Sequence, residues 1–200
     1  SVMNYFLNLI LYSFSKLAVA VFGAYFKVQS MAFMPVFGLN NGMIPIISYN
    51  YGAQKPDRMK RTMKLGVMVG CSIMVFCLAI MQVFPGQILK IFDATDEMLL
   101  MGIPAVRIMS TAFIFAGFSV TCSGMFQAVG KGVYSMIVSM ARQLFVILPV
   151  AYFLSKAMNS VNGVWAAFPI AEVFSVIIST IFLLRVYKKI VKPMESVQRD

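Results

Sequence analysis

Three ionisable side chains, Arg107, Arg142 and Glu172, lie inside long apolar runs of the 200-residue chain, where charge is expensive and needs a partner or water. Arg142 lies ten residues, about 15 Å of helix, past the Gly130-Lys131-Gly132 turn, and Glu172 lies thirteen residues, about 20 Å, before Arg185. The two depths differ by about the reach of an arginine, and no other acid falls within an apolar run. The spacing therefore predicts an Arg142–Glu172 ion pair between neighbouring helices, which either orders them statically or lets Glu172 exchange a proton or cation.

Amides supply the remaining polar chemistry. Asn4 and Asn8 stand one helical turn apart and share an inward face, and Gln29, Asn40, Asn41, Gln127 and Gln143 add further buried amides. Singly such groups join helices; together they describe a hydrated or ligand-accepting interior. Histidine is absent, so His-based triads, HExxH zinc sites and most imidazole acid–base schemes are excluded. Cys71, Cys77 and Cys122 lack metal-ligand spacing and read as inert buried thiols. No cofactor, no metal site and no enzyme chemistry are expected.

The elements that position these groups are membrane helices. Sixty per cent of the residues are hydrophobic, 12% are charged and the mean hydropathy is +0.83, against roughly 25% charged in soluble domains. Runs free of Asp, Glu, Lys and Arg extend over 27 residues from Val28 to Gln54, 25 from Leu65 to Leu89 and 23 from Ile108 to Gly130, each beyond the ~20 needed to span. The sequence predicts an all-α integral membrane protein with six transmembrane helices, at about 2–21, 24–51, 65–84, 98–129, 133–154 and 164–184. They form one lobe over 1–187, followed by a basic cytoplasmic tail over 188–200.

Eleven basic residues fall on one side: Lys55, Arg58, Lys60, Arg61, Lys64, Lys131, Arg185, Lys188, Lys189, Lys192 and Arg199. The other side has Lys16, Lys27, Lys90 and Lys156 beside Asp93, Asp96 and Glu97. This asymmetry predicts a cytoplasmic C-terminus and explains the net charge of +10 without nucleic acid. In segment two, Pro35, Gly38, Gly42 and Pro45 surround the Asn pair and are expected to interrupt the helix, with the two glycines permitting close packing. Pro104, Pro149 and Pro169 are expected to kink segments four, five and six, and Gly66 and Gly70 to mark a close crossing.

The stretch from Phe37 through Gly38, Asn40, Asn41, Gly42, Pro45 and Asn50-Tyr51-Gly52-Ala53 into Lys55, Arg58 and Arg61 resembles the MATE (multidrug and toxic compound extrusion) family. Gln127 to Lys131, Arg142-Gln143, Pro149 and Gly163 to Pro169 continue the likeness. The resemblance implies the second six-helix lobe, helices seven to twelve, of a twelve-helix two-lobe transporter, entered partway through helix seven. Its partners are then the bilayer, the missing N-terminal lobe and small drugs or toxic compounds.

The implied activity is antiport in a bacterial plasma membrane, with cationic or lipophilic compounds leaving in exchange for H+ or Na+. Some branches carry acidic ligands in helices seven and ten; here Asn4 and Asn8 stand where such acids would be sought. A lipid-linked oligosaccharide flippase of related architecture is the alternative, ahead of a membrane enzyme or a channel.

Overall fold

Ser15 sets the first helix boundary. Its backbone is extended at φ −168° and its hydroxyl accepts from the Ala18 amide at 3.0 Å, so the chain turns at Ser13-Phe14-Ser15 and a new helix starts at Lys16. The break expected between the spans 2–21 and 24–51, around Gly23, is not there. Gly23 sits within the helix, because one exposed glycine costs about 1 kcal/mol whereas breaking the ladder in hydrocarbon costs several.

The computed structural model describes residues 2–197. Within them run α1 (Val2–Tyr12), α2 (Lys16–Gly52), α3 (Pro56–Val83), α4 (Pro85–Lys90), α5 (Asp96–Ser110), α6 (Phe113–Ala128), α7 (Gly132–Met140), α8 (Leu148–Met158), α9 (Asn162–Val186) and α10 (Lys192–Val197). A π-helical stretch, Ala141–Ile147, joins α7 to α8 as one rod, and another, Tyr187–Val191, joins α9 to α10.

Counted as spans among the described residues, these give four crossings, or five with the bent α5–α6 pair as one, and a remainder. Helix α2, helix α3, the α7–α8 rod and the α9 rod are each long and apolar enough, and α5 with α6 make a fifth, bent by 49°. Helix α1, at 11 residues or about 16 Å, is too short to cross alone, so the segment predicted over 2–21 ends at Tyr12.

Helix α2 runs unbroken through Pro35 and Pro45, and α9 through Pro169. The bend in segment four falls not at Pro104 but at Thr111-Ala112, where the Ser110 and Thr111 hydroxyls donate back to the carbonyls of Arg107 and Ile108 at 3.2 and 2.7 Å. Gln82 of α3 fills the gap this opens, donating to the Arg107 carbonyl at 2.8 Å and the Ser110 hydroxyl at 3.1 Å.

Packing divides into two apolar cores. One joins Leu7 and Leu11 of α1 to Phe22 and Tyr25 of α2 and Trp165 and Phe168 of α9, with Phe22 stacked on Trp165. The other gathers Met43, Ile47, Met59, Phe126, Phe182, Val186 and Val191. Glycine governs the packing of α3 on α2 and α6: a Cβ on Gly66 would strike the Met43 sulfur of α2, one on Gly70 the Thr121 hydroxyl of α6, and one on Gly117 of α6 the Cys71 Cα of α3. Gly38 and Gly42 behave oppositely. Both are exposed with nothing within 4 Å, so among the described residues they make no close crossing.

Large apolar side chains such as Leu100, Phe145, Phe153 and Phe76 point outward, as lipid-facing residues do. The segment read as a basic tail over 188–200 is helical to Val197. Val191 and Met194 are buried on it, and Glu195 joins Lys60 of α3 at 2.7 Å. Apolar residues three apart in a charged segment were enough to hold it down. Arg199 lies outside the described residues.

Candidate functional site

Helix α2 carries a stripe at helical spacing, Tyr25, Gln29, Phe33, Phe37, Asn41 and Ile44, and much of it faces a continuous groove between α2, α6, the α7–α8 rod and α9. The groove has two compartments that share Phe33, Phe37, Arg142 and Gln143.

The first compartment, of about 360 Å³, is polar. Asn40 and Asn41 line it from α2, Ser119, Ser123 and Gln127 from α6, Ser135 and Ser139 from α7, and Ser175 from α9. Gly124 leaves the space in which the Asn40 amide lies, letting its Nδ2 donate to the Val120 carbonyl at 2.9 Å, while Oδ1 is buried without a partner. Ser135 ties α7 to α6 by donating to the Ser123 carbonyl at 2.7 Å. Arg142 is the one charged residue in this lining.

The second compartment, of about 480 Å³, is largely aromatic. Met3, Phe26, Phe33, Met34, Phe37, Phe113, Ile147 and Phe168 form its walls, and Gln29, Ser30, Gln143 and the Arg142–Glu172 pair supply the polar groups. Arg142 Nη1 donates to Glu172 Oε1 at 2.8 Å, with side chains 20% and 9% exposed, so the pair expected from depth is formed and largely desolvated. Arg142 belongs to the π-helical stretch, which ends just before Pro149; proline supplies no amide to the preceding turn, and the widened turn carries Arg142 and Gln143 on the groove wall.

The site residues expected from sequence divide accordingly. Gln29, Asn40, Asn41, Gln127, Arg142 and Glu172 all line the groove. Asn4 and Asn8 do not: they stay half-buried on α1, and only their neighbour Met3 reaches the wall. Arg107 is exposed on α5, away from the lining. Pro35, Gly38, Gly42 and Pro45 form an exposed stripe beside the groove stripe.

The serines and phenylalanines of the groove were not singled out from sequence. Ser119, Ser123 and Gln127 at four-residue steps, and Ser135, Ser139 and Gln143 likewise, were the available signal. Among the described residues no three of His, Cys, Asp or Glu come together as a metal site, and the three cysteines are free.

Comparisons with known proteins agree in direction. The chain is 26% identical over 159 residues to a "Multidrug export protein MepA" of Staphylococcus haemolyticus, covering 80% of the chain and 35% of that protein. It is 28% identical over 166 residues to its namesake from a bovine strain of Staphylococcus aureus, covering 83% and 36%. The chain thus spans about a third of the length of the curated relatives it matches.

In fold it superposes with a TM-score of 0.87 on an outward-facing multidrug resistance MATE transporter of the MOP superfamily, at 19% identity, over 98% of the chain and 43% of that structure. An inward-facing structure of such a transporter gives 0.86 over 96% and 44%, also at 19% identity. The relatives are named as exporters, not enzymes. The MatE family model matches residues 1–153, and the chain belongs to that family of multi-pass membrane transporters.

Proposed function

We propose that this chain forms one lobe of a secondary active multidrug efflux antiporter that exports cationic or lipophilic compounds in exchange for H+ or Na+, by alternating access between two lobes. The observation that carries this reading is the groove itself. A methionine- and phenylalanine-walled compartment opens onto a compartment lined by hydroxyls and amides, with a neutral Arg142–Glu172 pair at the junction. Methionine and phenylalanine walls accept varied lipophilic shapes, while the amides of Asn41 and Gln127 and the groove serines offer polar contacts.

Neither compartment holds a nucleophile–base pair, and each wall comes from several different helices, so relative tilting of those helices would reshape it. The basic residues flanking α3 and α9 support an orientation with the turn at residues 53–55 and the C-terminus in the cytoplasm.

The test is export of ethidium from drug-sensitive bacteria expressing the protein from its complete reading frame. Phe33→Ala and Phe37→Ala should change the range of exported compounds at normal protein level. Export with unchanged rate and range in both variants would remove the groove from the pathway.

A further inference from the structure

The Arg142–Glu172 pair is incomplete on one side. Glu172 Oε1 is held by Arg142, but Oε2 is buried without a hydrogen-bond partner, and so are the Tyr25 hydroxyl and Gln29 Oε1. An ionised carboxylate with one oxygen unsatisfied in an apolar setting is a costly arrangement, and here it is compensated by Arg142 through Oε1 alone. Glu172 lines the aromatic compartment with its Oε2 covered, and Arg142 lines both compartments.

The ionisable groups facing Glu172 are few. The π-helical stretch presents Arg142, and α2 presents Tyr25, whose hydroxyl lies in the field of the carboxylate. Helix α6 carries no charged residue, Arg107 of α5 is exposed, and Lys156 of α8 lies over the Tyr152 ring. The chain contains no histidine.

Resting on the reading of the groove as a substrate site, we propose that Glu172 is its proton-exchanging group and that the proton acts by freeing the Arg142 guanidinium as an uncompensated positive charge in the groove. A proton from groove water adds to Oε2, the carboxylate becomes a neutral acid, and the charge-assisted bond to Arg142 is lost; no other bond changes. With the pair intact, the groove lining is neutral and admits an organic cation. Once Glu172 is protonated the lining carries one positive charge, which repels a cation and leaves a neutral ligand unaffected. Proton and cation then exclude one another electrostatically without sharing a ligand atom.

The experiment measures binding of tetraphenylphosphonium, a cation that cannot titrate, and of neutral triphenylphosphine oxide to the intact purified protein from pH 5.5 to 8. A unit charge about 10 Å from the ligand at an effective dielectric near 20 weakens cation binding about tenfold. The wild type should lose about that factor for the cation toward low pH and keep its affinity for the oxide. Glu172→Gln should bind the cation at all pH values as weakly as the wild type does at pH 5.5.

Should that variant fail to fold, Arg142→Gln with Glu172→Gln restores a neutral lining. It should bind the cation tightly with no pH dependence. A wild-type slope persisting in either variant, or an equal slope for the oxide, overturns the inference while leaving the groove as a binding site. Wild type that binds neither probe overturns both readings.

Discussion

Gly117→Ala tests the α3–α6 crossing with a single methyl group. A Cβ built there lies 2.9 Å from both Cys71 Cα and the Gly70 carbonyl oxygen, and 3.2 Å from the Cys71 amide. Carbon contacts settle at roughly 3.5–4.0 Å, so α3 and α6 must part by about 0.6 Å or more, and the opposing atoms are backbone with no rotamer to yield. Overpacking of this kind costs about 1–3 kcal/mol. The expected loss is at the upper end, since the displaced helices also hold Gly66 on Met43 and Gly70 on Thr121.

Gly23→Ala is the matched control. Gly23 is exposed, lies inside α2 and has nothing within 4 Å of its ideal Cβ, so alanine should be neutral or should stabilise by up to about 1 kcal/mol. Were Gly23 instead in a turn of left-handed backbone, alanine would destabilise. Unfolding of the purified protein in mixed detergent micelles reads both changes. Gly117→Ala within about 0.5 kcal/mol of wild type would refute the crossing geometry, and Gly23→Ala destabilising by more than about 1 kcal/mol would refute the continuous α2.

Ser15→Ala removes the cap of α2 and should cost about 1 kcal/mol in the same micelle assay, with Ser15→Asp restoring most of it. Asn40→Leu loses the buried bond to the Val120 carbonyl and should destabilise by about 1–3 kcal/mol, whereas exposed Asn41→Leu should leave stability unchanged and lower ethidium export about fivefold. Arg142→Met and Glu172→Leu should each cost about 3–5 kcal/mol and the double substitution less than either, as a double-mutant cycle would reveal.

The all-helical membrane architecture was legible because lipid leaves the backbone few choices: long runs without Asp, Glu, Lys or Arg must be helices. Where those helices end was legible only where a residue offers an alternative hydrogen bond. Gly130, at φ +73°, closes α6 as its position before Lys131-Gly132 predicted. Gly23 offered flexibility but no partner, and the boundary went to Ser15, which does. The same competition moved the bend of segment four from Pro104 to Ser110-Thr111, whose hydroxyls reach carbonyls of the previous turn. Prolines marked irregularity where they start a helix or follow the π-helical stretch, at Pro56, Pro85 and Pro149, and side-chain hydroxyls marked it at Ser15 and Ser110-Thr111.

Depth and facing were unequally readable, for a geometric reason. Helical rise is a fixed 1.5 Å per residue, so counting from the charged turns placed Arg142 and Glu172 at matching depths, and they meet at 2.8 Å. Rotation advances about 100° per residue, and any bend or widened turn between a residue and its reference resets its direction. Arg107 sits one turn before the 49° bend and points outward, although its depth alone made it a candidate for the interior. Within one unbroken helix, however, relative direction survives. Four-residue steps therefore hold Ser119, Ser123 and Gln127 on one face of α6 without any knowledge of where that face points. The groove was written as stripes of spacing rather than as individually conspicuous residues, and a search for such stripes is the reading that recovers it.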